Sequence, residues 1–143
     1  MTAVRMGGFL EIETRFNSLA GIGEVELMPS SDPVSFPALH IFDHGHSIVE
    51  TEAQATRYAC SGSVEGYVEL TNGPAAYAAL NDLYTRAVAK LMEGEPLDGL
   101  AESLDEGDMR IAIAELASER RLGFAFDFEF IVVTQRGDPA QAA

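Results

Sequence analysis

Few residues in this chain have the type and spacing that chemistry requires. His44 and His46 flank Gly45, and on a strand an i, i+2 spacing sets both imidazoles on one face, where Asp43 or Glu50 would share a cation with them. No third ligand stands at a diagnostic spacing. Asp43-His44-Gly45-His46 therefore reads more simply as a polar hairpin turn, with Gly45 supplying the positive φ. His40, at the start of the preceding strand, reads as a packed or surface histidine. The lone cysteine, Cys60, falls on the apolar phase of its strand with no basic neighbour to lower its pKa, which predicts a small buried hydrophobe rather than a nucleophile. Ser61 and Ser63 lie beside glycines but do not form Gly-x-Ser-x-Gly. Gly7-Gly8 and Gly21-Ile22-Gly23 lack the residues that must follow in a phosphate-binding loop.

The carboxylates come in pairs: Glu24 with Glu26, Asp105-Glu106 with Asp108, Asp127 with Glu129. General acid–base work needs one carboxyl of a pair raised in pKa by an apolar pocket, and no such pocket is legible. Alternation along a strand accounts for Glu24/Glu26 and Asp127/Glu129 as the solvated side of a sheet. Asp105-Glu106-Gly107-Asp108 reads as a charged turn, with weak Ca²⁺ binding as the other reading. The expectation is a protein that is not an enzyme, with no catalytic residue, no cofactor and no metal.

The elements that position these residues follow from periodicity. Phe9, Ile12, Phe16 and Leu19 recur at helical spacing and predict a short amphipathic helix closed by Gly21 and Gly23. Val25 and Leu27 begin a short strand that Pro29 stops. Ala38 to Phe42 and Ser47 to Glu50 read as extended, with the histidine turn between them. On the next strand Tyr58, Cys60, Val64 and Val68 share one phase, and Ser61, Ser63, Glu65 and Glu69 share the other; Gly62 and Gly66 weaken it or mark a bulge. Asn72-Gly73-Pro74 starts the clearest helix, with Ala76, Leu80, Leu83, Ala87 and Leu91 as its stripe. Leu97 to Gly107 is an acidic connection with room for one helical turn. Met109, Ile111 and Ile113 lie in phase on one strand. Phe124, Phe126, Phe128, Phe130 and Val132 lie in phase on the last, which is the predicted centre of the core. The predicted fold class is α+β: a single small, mostly antiparallel or mixed sheet flanked by two main helices. Residues 1–8 are an N-terminal extension, 9–136 the domain, and 137–143 a flexible tail.

A chain of 143 residues suits one domain. Its 9 Lys+Arg against 23 Asp+Glu give a net charge of -14, which repels nucleic acid and anionic membranes. No run approaches the ~18 apolar residues of a membrane span. Met1 to Phe9 lack the apolar core of a signal peptide, so synthesis in the cytoplasm is expected.

Taken in order, Phe36-Pro37-Ala38-Leu39-His40-Ile41-Phe42, Val64-Glu65-Gly66-Tyr67-Val68-Glu69, Ala79-Leu80-Asn81-Asp82-Leu83-Tyr84, Pro96-Leu97-Asp98-Gly99-Leu100-Ala101, the strand Phe124 to Val133 and Arg136-Gly137-Asp138-Pro139 form a recognisable pattern. From about Leu19 onward the chain resembles the tail terminator proteins of long-tailed, siphovirus-like phages and of gene transfer agents. The resemblance implies a virion protein of the tail and neck, made in a bacterial host. Its family assembles as a homohexameric ring that caps the tail tube, stops its polymerisation and meets the head-completion proteins. The implied partners are further copies of the chain, the tail tube protein and a head–tail stopper or connector, with DNA passing through unheld. An acidic lumen would let the duplex through, because a basic one would hold its phosphates; some of Glu24, Glu26, Glu65, Glu69, Asp127 and Glu129 are expected to line it. The alternative for those six is an ordinary solvated acidic surface. Two other functions stay open: another neck protein, such as a stopper or connector, or a small dimeric α+β ligand-binding protein or enzyme using His40, His44 or His46.

Overall fold

Strict alternation of apolar and polar residues gives a sheet one dry face, and two amphipathic helices supply the layer that covers it. The computed structural model describes residues 2–116 and 119–143. In chain order they form α1 (Val4–Asn17), β1 (Glu24–Leu27), β2 (Ala38–Thr51), β3 (Ala55–Glu69), α2 (Gly73–Leu91), a 3₁₀ turn (Pro96–Gly99), β4 (Ser103–Leu116), β5 (Glu119–Gln135) and β6 (Asp138–Ala142). The fold is α+β, with one mixed sheet ordered β1-β2-β3-β5-β4 and β6 added beside the end of β5. The β1–β2 pair is parallel and the other pairs are antiparallel.

The in-phase run on β5 is buried along its whole length, and β5 lies between β3 and β4. Cys60 and Val64 of β3 sit opposite Phe130 and Phe126. Phe9 of α1 meets Phe130 edge-on with ring centroids 5.2 Å apart, and Tyr84 of α2 meets Phe124 and Phe126 at 5.5 and 5.6 Å. These rings need small neighbours. A Cβ on Gly66 would lie 2.2 Å from the Phe124 ring, and one on Gly62 would lie 2.6 Å from both the Phe128 ring and the Phe42 carbonyl oxygen. The β3–β5 register runs without a shift past both glycines, which make room for the rings, while on its other side Gly62 pairs with Asp43 at the start of a bulge in β2. Cys60 is fully buried and burial pushes its thiol up to about 11, as a small core hydrophobe requires.

The α2 stripe is buried at all five predicted positions. Asn72 Oδ1 accepts the Ala75 N–H at 3.2 Å and caps the helix. At the other end the Arg15 guanidinium of α1 donates to the carbonyls of Lys90, Leu91, Glu93 and Glu95. A cation at that terminus satisfies carbonyls the helix itself leaves unpaired and complements its dipole.

Four boundaries differ from the sequence reading. The expected N-terminal extension is helical from Val4, despite the poor helix propensity of Gly7-Gly8. A Cβ on Gly8 would lie 2.7 Å from the Phe130 ring, so glycine there lets α1 approach β5 closely, and tertiary packing outweighs propensity. The histidine turn is no hairpin: β2 continues through it with a bulge between Asp43 and His46, where Gly45 takes φ 91. The acidic connection is shorter than predicted, because β4 begins at Ser103. Asp105 to Asp108 is therefore strand with a bulge and not a turn. The expected flexible tail turns at Gly137 and returns as β6, pairing with Thr134 and Gln135 where β5 has outrun β4.

Candidate functional site

Register decides which way each predicted acidic residue points. Glu24 and Glu26 alternate with Val25 and Leu27, which pack on the core. Glu65 and Glu69 alternate with Val64 and Val68, and Asp127 and Glu129 with Phe126, Phe128 and Phe130. All six therefore project from the one face of the sheet that carries no helix. Asp105, opposite Glu129 on β4, joins them.

They are not equivalent there. Glu24 and His40 Nε2 share a hydrogen bond, and the Val34 N–H donates to the other Glu24 oxygen at 3.2 Å. Burial alone would raise the Glu24 pKa, but these bonds outweigh it and hold the carboxyl below its ordinary 4.5. Glu65 accepts the Tyr67 hydroxyl at 2.6 Å; burial first, and then this bond, push the tyrosine up. Asp127 pairs with Arg110 at 3.2 Å. Glu26, Glu69 and Glu129 have no ion-pair partner among the described residues. Together with Asp105, which also has no ion pair among the described residues, and Glu65, which meets only the neutral Tyr67 hydroxyl, these three carry the unneutralised negative field of the face.

The histidines separate. His44 Nε2 lies 3.0 Å from the Ser63 hydroxyl on the helix-free face, while the His46 ring packs 4.4 Å from Tyr58, which belongs to the core phase. The bulge at Gly45 inserts one residue and breaks the i, i+2 relation, so the two imidazoles face opposite sides. His40 is the histidine that meets carboxylates. It is 2% exposed, and its ring, Glu24 and Glu26 bring their ligating atoms within 4.8 Å of one another. The sequence signal was the Glu-x-Glu on β1. What it lacked was the parallel pairing that sets Glu26 beside His40.

On the helical side of the sheet Asp43 holds Arg5 of α1 and accepts the Gly45 N–H at 2.8 Å. Burial opposes ionisation, but Arg5 and the N–H outweigh it, so the Asp43 carboxyl also stays below its ordinary 3.8. Carboxyls whose pKa is lower folded than unfolded add stability that is present above the unfolded pKa and lost as pH falls through the folded one. Urea midpoints should hold from pH 7 to 5 and fall from just above 4.5 downward. Glu24→Gln/Asp43→Asn should flatten that acid limb, which a midpoint series at pH 7, 5, 4 and 3 reads directly.

The two sheet edges are the other exposed feature. β1 covers β2 only as far as Ile41, so from Asp43 to Thr51 the outer edge of β2 has no strand beside it among the described residues. β4 forms the opposite edge. Each edge exposes a β-branched pair: Ile48 and Val49 at 63% and 55%, Ile111 and Ile113 at 41% and 53%. Unpaired backbone beside apolar side chains is a surface built for strand addition, or else a route to aggregation. No protein-family model and no curated protein matches this sequence.

Proposed function

We propose that this chain is a structural ring subunit, a tail terminator that caps the tail tube, halts its polymerisation and presents its other side to the head-completion proteins of the neck. The observation that carries the reading is the pair of unlike free edges on one sheet. When the β4 edge of one copy meets the β2 edge of the next, the contact is head to tail, and a head-to-tail contact generates a ring wherever its rotation closes. A two-fold dimer through either edge would leave the other edge bare in both copies. The order of motifs shared with tail terminators supplies the specific identity, and six copies of 15.4 kDa would give a ring of about 92 kDa. Placing the helix-free acidic face toward the lumen would carry Glu26, Glu69 and Glu129 beside the passing DNA, where like charge prevents retention.

Electron micrographs of particles produced without this protein test the reading. Tails of uncontrolled length and heads left unjoined are expected; normal particles would refute it.

A further inference from the structure

Glu24, Glu26 and His40 form the one cluster of mixed metal-ligating donors on the described residues, and its parts are held by separate features of the fold. Glu24 and Glu26 stand at i and i+2 on β1, on one face. His40 comes from β2, directly beside Glu26 in the parallel register. The Val34 N–H fixes one oxygen of Glu24, and burial fixes the His40 ring, whose side chain is 3% exposed. Glu26 alone is exposed and free to swing.

We propose that these three residues bind a first-row divalent cation of the zinc class. Bonds of about 2.0–2.2 Å in a tetrahedral site set ligand atoms roughly 3.3 Å apart. The ligating atoms lie within 4.8 Å of one another; the exposed Glu26 side chain reaches the ion by rotation, and Glu24 and His40 Nε2, now in direct hydrogen-bond contact, must part to admit it. One imidazole nitrogen with two carboxylates is a borderline donor set that suits Zn²⁺ or Mn²⁺, whereas Ca²⁺ requires six or more oxygens. The cation would take the His40 Nε2 lone pair, with the ring proton on Nδ1, in place of the hydrogen bond that now joins this nitrogen to Glu24. Two carboxylates beside one imidazole leave the cluster net negative whichever form the histidine takes, so a dication offsets the local charge on a chain of net -14. It would also pin β1, a strand of four residues, to β2. Three protein donors leave at least one coordination position for water or a donor from another molecule. The site does not depend on the ring reading and would exist in a monomer.

The test uses the full chain, stripped with a chelator and titrated with Co²⁺ at pH 7. Visible absorption reports coordination and equilibrium dialysis reports stoichiometry. One Co²⁺ per chain is expected, expelled by Zn²⁺, with affinity lowered at least about tenfold in Glu26→Gln and in His40→Gln. His44→Gln/His46→Gln should bind as the unaltered chain does. Glu26 is exposed, so its variant keeps the test decisive if the buried His40 variant fails to fold. Absence of bound Co²⁺ would overturn the proposal. So would binding that survives Glu26→Gln, or binding that disappears in the His44/His46 variant.

Discussion

Phe130→Ala is expected to lower the free energy of unfolding by about 3–5 kcal/mol, the range for deleting a fully buried aromatic ring. Phe130 is 0% exposed and sits where three elements meet. Phe9 packs edge-on against it from α1, Phe128 stacks beside it on β5 with centroids 6.3 Å apart, and Gly8 brings the α1 backbone down onto its ring. The cavity left by alanine cannot collapse easily, because α1 already lies as close to the sheet as glycine permits and both neighbouring strands of β5 are held in register. Domains of this size have about 5–15 kcal/mol in total, so the variant should lose much of its margin. The chain has no tryptophan, which makes far-ultraviolet circular dichroism during urea unfolding the suitable probe. A loss below about 1 kcal/mol would mean that α1 does not dock on β5 in solution.

Ile111→Asp/Ile113→Asp is expected to abolish assembly while leaving the fold intact. Both isoleucines are exposed in the single chain, so the isolated subunit loses little. In a ring each would be covered by the neighbour, and burying one such side chain contributes about 1.5–3 kcal/mol. The new carboxylates would also meet an edge already carrying Glu50 and Glu52, on a chain of net -14. Light scattering after size exclusion at high concentration should move from about 92 kDa to 15.4 kDa. Ile48→Asp/Val49→Asp, at the opposite edge, should do the same. Mixing the two variants distinguishes head-to-tail from two-fold assembly: each retains one good edge, so the mixture should form a capped pair of two copies, near 31 kDa, and no ring. If either variant alone still pairs with itself, the head-to-tail geometry is wrong.

Periodicity by itself determined much of this protein. The β5 phenylalanines, the α2 stripe and the alternation on β3 each carry their structural meaning locally, because a period of 2 or 3.6 assigns a face without reference to the rest of the chain. Each of the six acidic residues falls opposite a core position for the same reason. Four features were decided only by tertiary structure. The Gly7-Gly8 segment is helical because β5 offers it a ring to pack on, and residues 138–142 form a strand because β5 outruns β4; neither cause is written within the segment itself. The split of His44 from His46 turns on one inserted residue at Gly45, since a bulge reverses the side of every residue after it. The meeting of His40 with Glu24 and Glu26 depends on a parallel pairing across a loop, and parallel register has no local signature. Local period thus revealed which residues are dry and which are wet. Which wet residues stand together was left to strand pairing.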